Sequence, residues 1–481
     1  MNTYFRLTVA FVSILLLHCN VNVAHSQQLI SSEFKRSISQ EELNAQFQLP
    51  FAQNGIRLYK LRYTMPDLKG VTDTVSGLLI VPDRTGVTLP LLCAMHGTVD
   101  SKTDVPSNLM GGYELGGVFG ALGYVTFMPD FLGLGDSRGL HPYVHAASEA
   151  ASGINMLFAV RQYAAQNRLL LNDQLFLTGY SQGGHAAMAM HQAIERNYAT
   201  TLKVTAAAHL AGPYSISQVM LNTILSDQEY QFPAYHAYTF LSYNLAYGFY
   251  QNIESVFKPA YAAEIRKFLA GTLTVSGLNV SLKSILTREH GRSVAKFMLQ
   301  DSIITILSTN SNHRIRQALR DNDTYNWRTL TPTRLVYCRA DDQVPFRNSI
   351  VADSVMSLLG GVNVEAIDVN PNADHTGCVL PAVLNTITFF NQFQRIQTNT
   401  KDLSTSSLSI EVYPNPAQEI VVFKNAPDDA LLQIMDVTGK RVWSKKLSGS
   451  NQANLNNLAK GVYIAKISSG QGQWTGRIVL K

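Results

Sequence analysis

The sequence predicts an α/β chain: a mostly parallel sheet of eight strands with helices on both faces, a helical cap insertion, and a small all-β sandwich at the C-terminus. Three observations lead there. From about Gly55, short β-rich apolar runs alternate with helical stretches, the pattern of a sheet covered on both faces. Between Gly212 and about Arg328 that alternation stops, and over a hundred residues of mostly helical character intervene before it resumes. Beyond the polar, low-complexity stretch 398–407, residues 408–481 turn into short alternating strands with turn signals at Pro414-Asn415-Pro416, Asn425-Ala426-Pro427, Thr438-Gly439-Lys440 and Lys460-Gly461.

The expected strands are 58–65, 75–82, 89–96, 124–130, 175–180, 204–210, 334–339 and 362–369. The first two are close enough to pair as a hairpin. Later ones are separated by helical stretches at 146–166, 183–196, 347–359 and 381–393, as the joining of parallel strands requires. The sheet is therefore antiparallel at its start and parallel afterwards. Within the cap, placed at about 214–328, the segment 230–261 holds eleven aromatic residues, among them Tyr235, Tyr238, Phe240, Tyr243, Tyr247, Phe249 and Tyr250. They suit ordinary core packing and the apolar wall of a ligand pocket alike.

At the N-terminus, Arg6, an apolar run over 7–17 and Ala24-His25-Ser26 before Gln27 read as a cleavable export signal spanning 1–26. The run is too short to cross a bilayer, and no other stretch nears the ~20 apolar residues that requires. Leu16-Leu17-His18-Cys19 is a poor lipidation box because His18 stands where a small residue belongs. The mature chain then divides into a domain at 27–395, a linker at 396–407 and the sandwich at 408–481.

The formal net charge of +5 does not mark a nucleic-acid or anionic-lipid partner. Residues 408–481 carry nine basic and five acidic side chains, so +4 of it resides there, and the rest of the chain is balanced. No CxxC or HExxH spacing supports a metal, and no cofactor is expected. After signal removal the cysteines are Cys93, Cys338 and Cys378. Cys338 ends a strand and Cys378 opens a helix, so these two are candidates for a disulfide, with Cys93 buried and free.

Two stretches match G-x-S-x-G. Gly179-Tyr180-Ser181-Gln182-Gly183 follows an apolar strand and runs straight into a strong helix, the strand–turn–helix setting that a nucleophilic serine demands. Gly135-Asp136-Ser137-Arg138-Gly139 lies instead in a Gly-rich loop, with Pro142 opposing an immediate helix. Ser181 is thus the expected nucleophile. A serine hydroxyl needs a base that is itself oriented by an acid, and in this order of elements the acid precedes the histidine. Of the ten histidines left after signal removal, His375 sits in the loop between the last strand and last helix. Asp341 and Asp342 follow the strand at 334–339; Asp341 opens a D-x-x-V-P pattern and is preferred, while Asp374 reads as a loop residue. The backbone N–H groups of Gln182 and of Thr98, with Val99 as fallback, are the expected oxyanion donors.

Two resemblances add to this reading. Pro129-Asp130-Phe131-Leu132-Gly133-Leu134-Gly135, His141-Pro142-Tyr143 and Gly179-Tyr180-Ser181-Gln182-Gly183-Gly184-His185-Ala186 together resemble the bacterial secretory-lipase family of α/β-hydrolases over roughly 58–393. That resemblance implies the α/β-hydrolase fold and a lid-bearing esterase or lipase acting on small-molecule or lipid acyl esters. Tyr413-Pro414-Asn415-Pro416, Asp436-Val437-Thr438-Gly439-Lys440, Leu458-Ala459-Lys460-Gly461-Val462-Tyr463 and Arg477-Ile478-Val479-Leu480-Lys481 resemble the C-terminal sorting domain of the type IX secretion pathway. It implies export to the cell surface or medium, with the secretion machinery as partner. A serine peptidase or amidase uses the same chemistry and a non-catalytic binding protein can use the same fold, so both stand as alternatives. The aromatic cap suits acyl chains of medium length.

Overall fold

The structure is a computed structural model that describes residues 29–47, 52–398, 408–436, 439–449, 451–469 and 472–481. The expected export signal, Cys19 and most of the expected linker lie outside the described residues. The chain divides into two compact units, Met1–Ile396 and Gln397–Lys481.

In the first unit the sheet is built from β1 (Leu29–Ile38), β2 (Ile56–Pro66), β3 (Thr72–Pro82), β4 (Val87–Met95), β5 (Val125–Pro129), β6 (Leu171–Tyr180), β7 (Ala206–Leu210), β8 (Thr333–Tyr337) and β9 (Val364–Asp368). Their order across the sheet is β1-β2-β3-β5-β4-β6-β7-β8-β9. The pairings β1–β2, β2–β3 and β3–β5 are antiparallel; from β5 through β9 every neighbour is parallel. Strands β2 to β9 correspond to the eight expected from sequence, and β1 is an addition. Its side chains are exposed at eight consecutive positions, so Leu29–Ile38 carries no apolar alternation by which a strand could be recognised.

Central strands bury both faces. Leu91, Cys93 and Met95 of β4 join one core with Phe127 and Leu177, while Leu92 and Ala94 join the opposite core with Met128 and Phe176. Helix α1 (Gln40–Phe47) precedes β2, α2 (Glu114–Ala121) joins β4 to β5, α3 (Ala146–Gln166) joins β5 to β6 and α4 (Gln182–Asn197) joins β6 to β7. Met156, Leu157 and Val160 of α3 pack with Ala186 and Met190 of α4 on the first face; Phe119 of α2 packs with Phe390 on the second. Between β7 and β8 run α5 (Leu221–Leu225), α6 (Pro233–Tyr247), α7 (Pro259–Leu269), α8 (Val275–His290), α9 (Asp301–Thr309) and α10 (Arg314–Asp321). Their inward faces share a core of their own, centred on Phe257, Ala262, Leu278, Leu282 and Met298. The unit closes with α11 (Arg347–Leu358) and α12 (Val379–Phe390). Helix α12 starts two residues before the expected 381, because Pro381 sits in the first turn, where its missing N–H is not needed.

The second unit contains two antiparallel sheets. One orders the strands Glu411–Tyr413, Ile420–Lys424 and Gln452–Asn454; the other orders Arg441–Lys446, Leu431–Met435, Gly461–Ser469 and Gly472–Leu480. Val421 and Phe423 from the first pack with Leu432, Ile434, Ala465, Ile467 and Ile478 from the second, which makes a sandwich with its own core.

Candidate active site

Ser181 stands between the end of β6 and the start of α4 with φ 60° and ψ −123°, a conformation L-residues rarely adopt. The flanking glycines make that turn possible. A Cβ on Gly183 would fall 2.0 Å from the Met95 carbonyl oxygen, and one on Gly179 would fall 2.2 Å from that of Gly183. The turn is anchored from β7, since the Ser181 amide donates to Leu210 O at 2.9 Å.

His375 and Asp341 are brought together across 34 residues of sequence. The His375 Nδ1 lies 2.7 Å from Asp341 Oδ2, and both side chains are almost wholly buried. The other Asp341 oxygen accepts the amides of Gln343 at 2.9 Å and Val344 at 2.7 Å, so the carboxylate is held from its own loop. With the carboxylate as acceptor, the proton of a neutral His375 resides on Nδ1, and Nε2 keeps its lone pair. The backbone of His375 is gripped at both ends. Its amide donates to Asp342 Oδ1 at 3.1 Å, and its carbonyl accepts from the Tyr180 hydroxyl at 2.5 Å, tying it to the residue before Ser181. Asp374 accepts the Gly377 amide and only shapes its own turn. Cys338 and Cys378 form a disulfide that closes the two loops together, and Cys93 is free and buried.

Thr98 belongs to the loop after β4 that runs alongside the turn; a Cβ on the neighbouring Gly97 would lie 3.7 Å from Ser181 Cβ. The His96 ring bonds through Nδ1 to the Gly97 carbonyl at 2.7 Å. A trans peptide points its N–H opposite to its C=O, so this bond also fixes the direction of the Thr98 amide. Neither the Thr98 nor the Gln182 amide has a backbone acceptor among the described residues. The Thr98 hydroxyl meets Tyr143 OH at 2.8 Å.

Ser137 is placed elsewhere. Its hydroxyl donates to Asp73 Oδ2 at 2.6 Å and accepts the Gly133 amide at 2.8 Å, and the residue is 1% exposed. It is a buried bracket for the Gly-rich loop. Ser137→Ala is expected to destabilise the fold by about 1–3 kcal/mol, because it takes the acceptor from the Gly133 amide and one of several donors from Asp73, and to leave turnover near normal. Thermal denaturation beside an activity assay checks this; lost turnover without lost stability would contradict it.

One buried cluster escaped the sequence reading. Gln182 Nε2 donates to His141 Nε2 at 2.7 Å and to Glu149 Oε1 at 2.8 Å, while Glu149 Oε2 lies 2.7 Å from His185 Nδ1. His185 Nε2 reaches the carbonyl of Asn322, just past α10. Burial pushes His141 down to about 3, so it is neutral; its Nδ1 donates to Leu132 O and its Nε2 accepts. Burial also opposes a charged His185, yet the Glu149 carboxylate outweighs it and raises the imidazole above its ordinary value. His141 and His185 lie in motifs visible in sequence; Glu149, surrounded by alanines and serines in the first turn of α3, carries no such mark.

A cavity of about 70 Å³ opens beside Ser181 and Gln182 beneath the cap. Its walls are mostly apolar: Ile216, Leu221 and Ile224, Phe240 and Phe249, and Leu319. Of the aromatic cap residues, Tyr235, Phe240, Tyr243 and Phe249 line it, whereas Tyr238 and Tyr247 pack elsewhere. His375 does not line it, so this space suits a part of a ligand lying beyond Ser181 rather than the reacting group. Among the described residues no cluster of three or more His, Cys, Asp or Glu could hold a metal, and no helix is long and apolar enough to cross a membrane.

Known structures share this architecture. A crystal structure from Legionella pneumophila, of a protein proposed to be a hydrolase, matches at 25% identity with a TM-score of 0.68, covering 76% of this chain and 98% of that one. The rice cell wall degrading esterase LipA from Xanthomonas oryzae matches at 24% identity and TM-score 0.68 over the same shares. Lipase A from Candida antarctica in its closed state matches at 15% identity and TM-score 0.54, covering 76% and 81%. The first unit has the α/β-hydrolase fold. Residues 411–481 match the secretion system C-terminal sorting domain, so the second unit is a sorting domain. No curated protein matches this chain. In the first unit, Ser181 stands at the turn from β6 into α4, and the loops that carry Asp341 and His375 follow β8 and β9.

Proposed function

We propose that this chain is an exported serine carboxylic-ester hydrolase acting through an acyl-enzyme. Ser181 Oγ attacks the ester carbonyl while His375 Nε2 takes the hydroxyl proton. The resulting imidazolium is stabilised by Asp341. The tetrahedral oxyanion is received by the N–H groups of Gln182 and Thr98, each contributing on the order of 3 kcal/mol to lowering the barrier. Collapse expels the alcohol, which leaves with the proton from His375. Water, deprotonated by the same nitrogen, then releases the acid and restores Ser181. One observation carries this reading: a serine on a strained elbow, in a fold whose neighbours include an esterase and a lipase, together with a buried 2.7 Å carboxylate–imidazole pair linked to that elbow through Tyr180.

Side-by-side assays on p-nitrophenyl acyl esters of graded length and on aminoacyl p-nitroanilides test it. Ester turnover with an optimum at medium chain length is expected. Preference for the anilides would make the chain a peptidase or amidase, and turnover of neither would leave a binding protein. The sorting domain assigns delivery through the type IX machinery. Truncation after Ser407 is expected to leave turnover of the purified protein intact while abolishing its appearance in the medium, and intact-mass measurement of secreted protein locates any processing within 396–407.

A further inference from the structure

The polar side chains around the cavity are not equally occupied. The hydroxyls of Tyr143, Tyr230, Tyr235, Thr239 and Tyr243 are all engaged, with Thr98 Oγ1, Gln343 O, Gln343 Oε1, Tyr235 O and Val144 O respectively. His236, on α6, is different. It lines the cavity and is only 7% exposed, yet its Nε2 is buried without a hydrogen-bond partner among the described residues. The Tyr230 ring lies against it, tilted by 38° with the ring centres 4.7 Å apart, and does not supply the missing partner. A buried polar atom left unpaired in a native fold calls for an explanation, and the residue that carries it stands in the wall of a cavity.

We propose that His236 recognises a hydroxyl group on the portion of the substrate that fills this cavity, so that the preferred esters are hydroxylated ones rather than plain alkanoates of simple alcohols. This rests on the esterase reading. Burial pushes the His236 imidazole down to about 4, so near neutral pH it offers one N–H donor and one lone pair. A hydroxyl both donates and accepts, and therefore pairs with either tautomer. A carboxylate has no proton to give and an ammonium no lone pair, and each would be stripped of water among apolar walls with no opposite charge. A plain hydrocarbon fills the space but leaves the imidazole unpaired. Sites built to pair a substrate hydroxyl discriminate against analogues that lack it for this reason.

The hydroxyl can belong to the acyl chain or to the alcohol, and two series of esters separate these sources. One compares p-nitrophenyl alkanoates with their hydroxyalkanoyl counterparts, the hydroxyl moved along a chain of fixed length. The other compares alkanoates of simple alcohols with monoalkanoates of the matching diols. The wild-type protein is expected to prefer the hydroxylated member by about tenfold or more in kcat/KM in one series. His236→Phe, which keeps a flat ring but no nitrogen, should abolish that preference, and His236→Gln, which keeps a donor and an acceptor, should retain part of it. His236→Leu replaces the Phe variant if the larger ring prevents folding. Equal turnover within both series, or a preference that survives loss of the imidazole, overturns the proposal. The esterase reading is judged separately, by whether plain esters are hydrolysed by the wild type and not by Ser181→Ala.

Discussion

Ser181→Ala and His375→Ala are each expected to lower ester turnover by roughly four to six orders of magnitude, and the double variant to be little worse than either, because triad members act as a unit. A fluorophosphonate should form one covalent adduct, carried on the Ser181 peptide. Ser137 has its hydroxyl committed to Asp73 and should stay unlabelled. Asp341→Asn should be severe but milder than loss of Ser181. It removes the charge that stabilises imidazolium, and its amide presents a donor where His375 Nδ1–H needs an acceptor. Asp342→Asn should be tolerated, since an asparagine oxygen can still accept the His375 amide that Asp342 holds now. Peptide-level mass spectrometry and steady-state kinetics read these outcomes. An adduct on Ser137, or near-normal turnover by Ser181→Ala, would falsify the assignment.

The second large effect concerns stability. The Cys338–Cys378 disulfide closes a loop with a sequence separation of 40 residues, and both cysteines are fully buried. In the loop-entropy account such a crosslink constrains the unfolded chain by about 4 kcal/mol. The double replacement by alanine should show that loss as a lower urea midpoint. Both ends of the crosslink also lie within three residues of Asp341 and His375, which are in contact with each other. The Asp341 amide donates to Cys338 O, and the Cys378 amide donates to Asp374 O. Loosening them should therefore depress kcat more than it raises KM, when measured well below the new unfolding midpoint. A variant that loses stability but keeps full kcat would show that the crosslink braces the fold without aligning the pair.

What was legible in the sequence followed the range of the signal. Strands β2 to β9 announce themselves by apolar runs bounded by turns, and the Ser181 elbow by small residues between a strand and a helix. All of that is local. Asp341 and His375 were legible as partners only because chain order in this fold places their loops side by side. Strand β1 was hidden because its side chains face water and its place depends on pairing with β2 rather than on burial. Glu149 was hidden for the opposite reason. Its partners Gln182 and His185 lie 33 and 36 residues away, on a different helix, and no spacing rule connects them. The same holds for Asp73, which claims Ser137 from 64 residues upstream. Buried polar groups select their partners in space, and sequence records only the residue types.

The Glu149–His185 contact bears on the electrostatics of the elbow. A carboxylate bonded to the Gln182 side chain places a formal negative charge in a water-poor region, close to where an ester carbonyl oxygen would acquire one of its own. Alone it would act as a monopole, repelling that oxygen over a long range and working against the helix N-terminus that receives it. Both His185 nitrogens face acceptors, Glu149 Oε2 at 2.7 Å and the Asn322 carbonyl at 2.9 Å, and a ring that donates to both turns the monopole into a short dipole, whose field dies away far more steeply with distance. The protein thereby keeps a strong acceptor on the Gln182 side chain while its charge is offset within one contact distance.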